Sequence, residues 1–567
     1  MQPAATSVRP EERIAALEAA LASERAALAA SQQLVSKLIV ERDHLRAAHE
    51  RLRLELEMLR RRIFVAKAER VDTAQLELEF AQKLAELDRL GATPPPDEDE
   101  NKPKNKRKRK STGRRDLRKA PLEEERIEIS DPLFEELVAQ GKAERIDHEE
   151  SCKVAWKRGG YRRLVIARVK YRVVDAQGES HIETAPMPPE CFSRSLAAPS
   201  MLAKIITDKF CDGMPFNRVE DRTERDGFRI DRGTLCRWAE DAGATAGATV
   251  VVAMRKHAMA TAFCLATDAT GVAVQPIGTH EKRQACRRGH YFVVVADRDH
   301  VFFEYTPKET SRVVSEMFRG FSGYIQADAK SVYDVLFREP EPPDDDGAVR
   351  LEVGCWSHGR RKFWDAAAAK SVVAREALAR IGRFFDLEES WRGKPPSEIL
   401  RLRQAHLRPH MEAFFAWAEE QHALVLHQRG FLRSALGYVV RQKAALLRVL
   451  EDGRLVLDNN RSERELRRIA NGRKAWLFVG SDDHAESAGH LFTLVASARL
   501  HGLDPETYLR DLFRVLAHWP KDRYLELAPK FWTATRSRLV PAELERELGP
   551  LTVPPVPPPP EEQPASR

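Results

Sequence analysis

Nowhere in the 567-residue chain does a run of apolar residues approach the roughly 18 that cross a bilayer, so no membrane partner is expected. The opening MQPAATSVRPEERIAALEAA holds no apolar block of the signal-peptide kind, so the chain is expected to stay in the cytoplasm. Cysteines number only seven, an odd count, and no two form a Cys-x-x-Cys pair. That argues against a disulfide framework and against a four-thiolate zinc site, so zinc is not expected. No GxxxxGK[ST] run is present, which leaves no phosphate cradle for an ATPase step. Hydrophobic residues make up 43%, enough to build cores, so wholesale disorder is excluded. The length suggests about three to five units.

The net charge of +7 is unevenly spread. Residues 102–119 hold eleven basic side chains against one acid, Asp116, a local charge of +10 that leaves −3 for the rest of the chain. Lys106, Arg107, Lys108, Arg109 and Lys110 are its densest part. Such a run repels itself and is attracted to a polyanion, so nucleic-acid contact is expected, against the plainer reading of a solvated linker. Residues 11–90 contain no Gly or Pro, and Ile14, Leu17, Leu21, Leu28, Val35, Leu38, Leu45, Leu52, Leu56, Leu59 and Ile63 recur in steps of three, four and seven. This a/d register predicts a coiled coil through which the chain self-associates. A Pro-rich break at residues 91–96 opens a disordered basic linker over 91–120.

The remaining chain reads as multidomain α/β. Residues 121–195 form a small β-containing element, with alternating strands over 161–185 turning at Gln177-Gly178. Residues 196–245 read as helices resembling a helix-turn-helix: one over 197–210, a second over 217–225, a turn at Asp226-Gly227, then a third over 232–242 capped by Asp231 and carrying Arg232, Arg237 and Trp238. A helical pair of this kind is common without DNA contact. From residue 246 the order is β-β-β-α-β-α-β-α, a meander followed by crossover units, which is the ribonuclease-H-like arrangement. It predicts helices over 309–319 and 331–337 and strands ending in Asp268 and Asp328, side by side. Helical residues 366–455 interrupt this domain, which runs to 475; a helical element (476–535) and a disordered Pro-rich tail (536–567) follow.

Two adjacent carboxylates repel unless a cation neutralises them. Mg²⁺ suits such a site, and a third carboxylate would allow two-metal displacement at phosphorus. Glu463 is the best candidate, near the start of a helix that Asp458 or Ser462 can begin, with Arg464, Arg467 and Arg468 nearby to hold phosphates. Taken singly, each acid is as readily a turn or surface residue; their placement on one topology is what joins them. Cys355-Trp-Ser-His358 could ligate a metal, but without a companion pair it reads better as structural. Arg473 and Lys474 are further DNA-contact candidates, and Trp476 reads equally as core or as a base-stacking residue.

The segments LDNNRSERELRR (457–468), GRKAWLFVG (472–480), GCWSHGRRKFWDA (354–366), ATDATGVAV (266–274) and KFCDGMPFNRVEDRTERDGF (209–228) resemble the insertion-sequence-66 family of DDE transposases, as does LRRRIFVAKAERVDTAQLELE (59–79). The resemblance implies Asp268, Asp328 and Glu463 as the catalytic, metal-binding carboxylates, and Mg²⁺-dependent cleavage and strand transfer at transposon ends, with Mn²⁺ able to substitute. It implies transposon-end repeats and target DNA as partners, small accessory proteins of the same element, and a prokaryotic nucleoid setting. Family members usually carry two Cys pairs before the helical region. Here Cys152 stands near the first and residues 175–186 run through the second, so the β element reads as a degenerate zinc finger. Two other readings stay open: a non-catalytic DNA-binding derivative, and a nuclease on the same fold.

Overall fold

The computed structural model describes residues 122–157, 159–174, 179–193, 195–276, 285–338 and 347–556. All lie within one compact unit, Thr112–Arg567. The expected coiled coil, the basic linker and the Gln177-Gly178 turn fall outside the described residues.

The first sheet is built around β3 (Gly160–Val174), whose Leu164, Ile166 and Tyr171 are buried. One edge pairs antiparallel with β2 (Ala143–Lys157), and the other pairs in succession with β1 (Glu123–Ile129), parallel, and β4 (Ser180–Thr184), antiparallel. A short helix, α1 (Pro132–Ala139), joins β1 to β2. Between strands Arg163 meets Glu124 and Arg168 meets Glu149, opposite charges on neighbouring strands.

Four helices follow: α2 (Pro199–Phe210), α3 (Phe216–Arg225), α4 (Arg232–Ala242) and α5 (Ala248–Thr261). The turn before α4 contains Gly227 at φ 85°, where a side chain would be strained. Asp231 caps α4, accepting from the Gly233 amide at 2.8 Å. Lys204 and Arg222 neutralise the buried Asp208 between α2 and α3. Trp238 is core, not surface.

The second sheet has the order β7-β6-β5-β8-β9. Its strands β5 (Cys264–Val274), β6 (Arg287–Ala296) and β7 (His300–Thr306) are antiparallel; β8 (Gly323–Gln326) and β9 (Arg350–Val353) run parallel to β5. Helix α6 (Ser311–Met317) crosses from β7 to β8. Two expectations are corrected. Asp268 does not end its strand: the residues after it keep pairing with β6 as far as Val274↔Arg287, and that ladder extends the strand past the apolar run. The helix expected over 331–337 is only a 3₁₀ turn, Asp334–Leu336, pinned by buried Tyr333 and Leu336.

Helices α7 (Trp356–Ala368), α8 (Val372–Ser390), α9 (Pro396–Leu402), α10 (Arg408–Leu424), α11 (Phe431–Arg441) and α12 (Lys443–Leu447) make a separate core. At its centre Trp356 lies fully buried against Phe384, Phe414 and Phe415, and truncating such a residue costs about 3–5 kcal/mol. Buried Arg403 binds Glu388 and donates to the carbonyls of Val449, Asp452 and Leu455, fastening the chain as it returns to the sheet.

The chain then forms α13 (Asn460–Trp476), α14 (Asp482–Leu500), α15 (Pro505–Val515), α16 (Pro529–Arg536) and α17 (Pro541–Glu545). Helix α14 covers the sheet edge. The Val301 and Phe303 amides of β7 donate to the hydroxyls of Ser497 and Thr493 at 3.0 and 2.9 Å, which closes an edge that would otherwise offer free donors. Residues 536–556, expected as disordered tail, are packed instead. Leu539, Leu544 and Leu548 are buried, and buried Arg514 donates to the carbonyls of Arg546, Gly549 and Pro550. Proline composition alone hides this, because the anchoring arginine lies more than 30 residues upstream.

Candidate active site

The register of β5 and β8 positions the first two carboxylates. Ala266 pairs with Gln326, the last residue of β8; two residues further on, Asp268 lies within β5, and Asp328 lies in the segment just past β8 rather than at the end of the strand as expected. The third acid comes from α13. Glu463 stands in its first turn, where the helix dipole favours negative charge.

His358, on the first turns of α7, reaches into the space between them. Its Nε2 lies 3.6 Å from Asp328 Oδ2 and 3.5 Å from Glu463 Oε1. Asp268 is half-buried and accepts from the Ala269 amide at 2.7 Å. Desolvation holds its carboxyl above the ordinary range; that amide and His358 oppose the rise, and the charges of Asp328 and Glu463 add to it. Three carboxylates from three separate elements thus converge around one imidazole.

What holds those elements together is the segment just before α13. Gln326 of β8 donates to the Val456 carbonyl at 2.8 Å, and the Trp356 amide of α7 donates to the Leu457 carbonyl at 2.8 Å. Buried Asn459 reaches β5, with Nδ2 donating to the Thr267 carbonyl at 2.8 Å, and its Oδ1 accepts from Ser462. The Asn459 amide donates to Cys355 Sγ at 3.3 Å. Helix α13 starts at Asn460, with Asn459 rather than Asp458 or Ser462 at its cap. The sequence alone assigns Asn459 no role; its only signal is its place in the Asp458-Asn459-Asn460 run.

Cys355 and His358 act apart. Cys355 is buried, its thiol pushed up to about 11 by desolvation, and it faces the backbone of Asn459, whereas His358 faces the acids. Carboxylate oxygens are the donors a hard divalent cation takes, so the trio fits Mg²⁺ in chemical kind. As they stand, the acids are spread around His358, and among the described residues no group of three or more His, Cys, Asp or Glu side chains is drawn tightly enough to hold an ion.

The candidate DNA contacts separate into classes. Arg232, Arg237 and Lys474 are exposed, Arg237 bonding Thr234; Arg467 is exposed on α13. Arg473 instead donates to the Gly271 carbonyl at 2.6 Å and to Thr270, tying α13 to β5. Lys106, Arg107, Lys108, Arg109 and Lys110 lie outside the described residues. No helix among the described residues is long and apolar enough to cross a membrane.

Residues 194–487, a span that contains all three acids and more than half of the chain, match the family described as "Transposase IS66 family", and residues 493–529 match the "IS66 C-terminal element". Two similar proteins, both from Sinorhizobium fredii (strain NBRC 101917 / NGR234), are the uncharacterized proteins y4hP and y4qI. The first is 26% identical over 512 residues, covering 85% of this chain and 88% of its own; the second is 25% identical over 378 residues, covering 65% and 68%.

Proposed function

The chain belongs to the IS66 family of transposases, and from that premise we propose that it is a working enzyme: it cleaves and transfers DNA strands at the ends of an insertion sequence, using Asp268, Asp328 and Glu463. The observation that carries this reading is the convergence of these three acids, from β5, the segment just past β8 and α13, around His358. The β7-β6-β5-β8-β9 order, antiparallel then parallel, supports a ribonuclease-H-like catalytic core.

A divalent cation, Mg²⁺ with Mn²⁺ as substitute, would be held by Asp268, Asp328 and Glu463, and would supply Lewis-acid polarisation at phosphorus and a more acidic attacking water. The protein's own residues do the positioning. Asn459 keeps the Glu463 helix against the Asp268 strand. His358 places an imidazole between two acids that would otherwise repel at close range. Exposed Arg464 and Arg467 flank Glu463 on α13 and are suited to hold backbone phosphates. The exposed Arg232 and Arg237 of α4 and the basic run 102–119 would add contacts to transposon ends and target DNA. The heptads of residues 11–90 support self-association, and accessory proteins of the same element are further expected partners, all working at the nucleoid in the cytoplasm.

The test is cleavage of a duplex carrying the element's terminal inverted repeat, with Mg²⁺, by wild type and by Asp268→Asn. Nicking at the repeat boundary by wild type and not by the variant is expected. Equal nicking by both removes Asp268 from the chemistry, and binding without cleavage by wild type points to a non-catalytic derivative.

A further inference from the structure

A second site lies at the other end of α13. Thirteen residues beyond Glu463, about 20 Å along the helix axis, Trp476 ends α13 at a cleft of about 710 Å³ between α2, α3, α4 and α14. Its aromatic lining includes Phe210, Phe216, Trp476 and Phe478. Two hydrogen-bond donors in it have no acceptor among the described residues. The Trp476 Nε1 is buried without a hydrogen-bond partner. Lys209 makes no ion pair among the described residues, and its ammonium packs over the rings of Phe216 at 4.2 Å and Trp476 at 5.8 Å. Desolvation pulls that ammonium down to about 8. The acids at the rim are already engaged: Glu240 pairs with His484, and Asp231 caps α4. The glycine at 472 is what lets the indole lie there, since a Cβ would stand 2.6 Å from Trp476 Nε1.

Beside this cleft the backbone is strained. Leu477 has φ 65° and ψ −48°, and the Phe478 amide donates to the Trp476 carbonyl at 2.8 Å: a γ-turn of the rare, strained hand, centred on a non-glycine residue. Both flanks are pinned. The Leu477 amide bonds the Arg473 carbonyl, and Val479 bridges to Val274 at the end of β5. The strained turn presents apolar side chains outward, with Leu477 67% and Phe478 45% exposed, next to exposed Lys474. Apolar side chains held rigidly at a cationic surface are suited to enter a base step and unstack it.

Resting on the transposase reading, we propose that Leu477 and Phe478 wedge into the terminal-repeat duplex and that the cleft behind them receives the nucleobase turned out of the stack. The occupant needs flat apolar faces for the aromatic walls and acceptors on its edge for Lys209 and Trp476 Nε1, which is the chemistry of a base rather than of an aliphatic peptide. At 3.4 Å per step, the extruded base would lie roughly six base pairs from the phosphate at Glu463.

The experiment measures affinity of the full chain, without divalent ion, for terminal-repeat duplexes carrying one mismatch at successive positions. A mismatch lowers the cost of extrusion, so wild type should bind roughly tenfold tighter at a single position, about six base pairs from the cleavage point. Trp476→Ala should lose that gain. Leu477→Gly, at an exposed and strained position that glycine relaxes, should bind the paired duplex roughly tenfold more weakly and recover with the mismatch. A flat mismatch profile in wild type, or Leu477→Gly binding paired duplex as wild type does, overturns the proposal and leaves the transposase reading standing. No preference for the terminal repeat over a scrambled duplex overturns both.

Discussion

Asn459 donates to the carbonyl of Thr267 across 2.8 Å, from the residue that caps the Glu463 helix to the residue before Asp268. The two acids are 195 positions apart in sequence, with the whole helical insertion between them. A buried side-chain bond of this kind sets the spacing of their carboxylates.

Asn459→Ala should therefore be costly twice over. It leaves the Ser462 hydroxyl and the Thr267 carbonyl without their buried partner, at about 1–3 kcal/mol. It also frees Glu463 to shift, and cleavage should fall about 10–100-fold. Urea unfolding and single-turnover cleavage measure the two effects, and unchanged cleavage would show that the bond has no catalytic consequence.

Substituting the acids separates chemistry from stability. Asp268→Asn, Asp328→Asn and Glu463→Gln should each lower metal-dependent cleavage at least about 100-fold. Asp268 is held above its ordinary carboxyl value, chiefly by desolvation, so the folded state binds its proton more readily than the unfolded chain. Its contribution then favours folding at low pH and declines as pH rises from the ordinary carboxylate value to the folded one. Above that window Asp268→Asn should be at least as stable as wild type in urea; a clear loss of stability would contradict the assigned shift.

His358 opposes the rise at Asp268. His358→Ala should therefore raise the Asp268 carboxyl further and move the acid limb of the cleavage–pH profile upward. A limb that stays in place would mean Asp268 is not the titrating group.

The sheet edge gives a prediction independent of catalysis. Thr493→Val or Ser497→Ala leaves a buried β7 amide unsatisfied and should cost about 1–3 kcal/mol. Leu477→Gly should do the opposite, gaining about 1–3 kcal/mol by releasing the strained turn. Denaturant midpoints measure both.

Removing residues 102–119 should flatten the dependence of DNA affinity on salt, by up to about 0.9 in log–log slope for each phosphate that is no longer neutralised, while cleavage persists. An unchanged slope would make this run a linker.

Much of the span that matches the family is legible in the sequence because local patterns carry it: apolar strands such as the run His290–Ala296, the Asp231 cap, and the helix with Glu463 near its start. The departures share one cause. Strand β5 runs past Asp268 because β6 supplies backbone partners for the residues that follow the apolar run. Residues 331–337 fail to make a full helix because two buried side chains pin a tight turn. Residues 536–556 are ordered because Arg514 anchors their carbonyls. Each outcome depends on burial or pairing that the local pattern does not carry.

The amino-acid order was enough to single out the three acids as candidates, since residue type and spacing along recurring strand and helix patterns are local properties. It could not show that Asn459 joins two of their elements, that His358 stands among them, or that Trp476, Lys209 and Leu477 meet at one cleft. Those relations come from bonds and packing between residues tens to hundreds of positions apart, which exist only once burial has brought the elements together and desolvation has made each unsatisfied polar group costly.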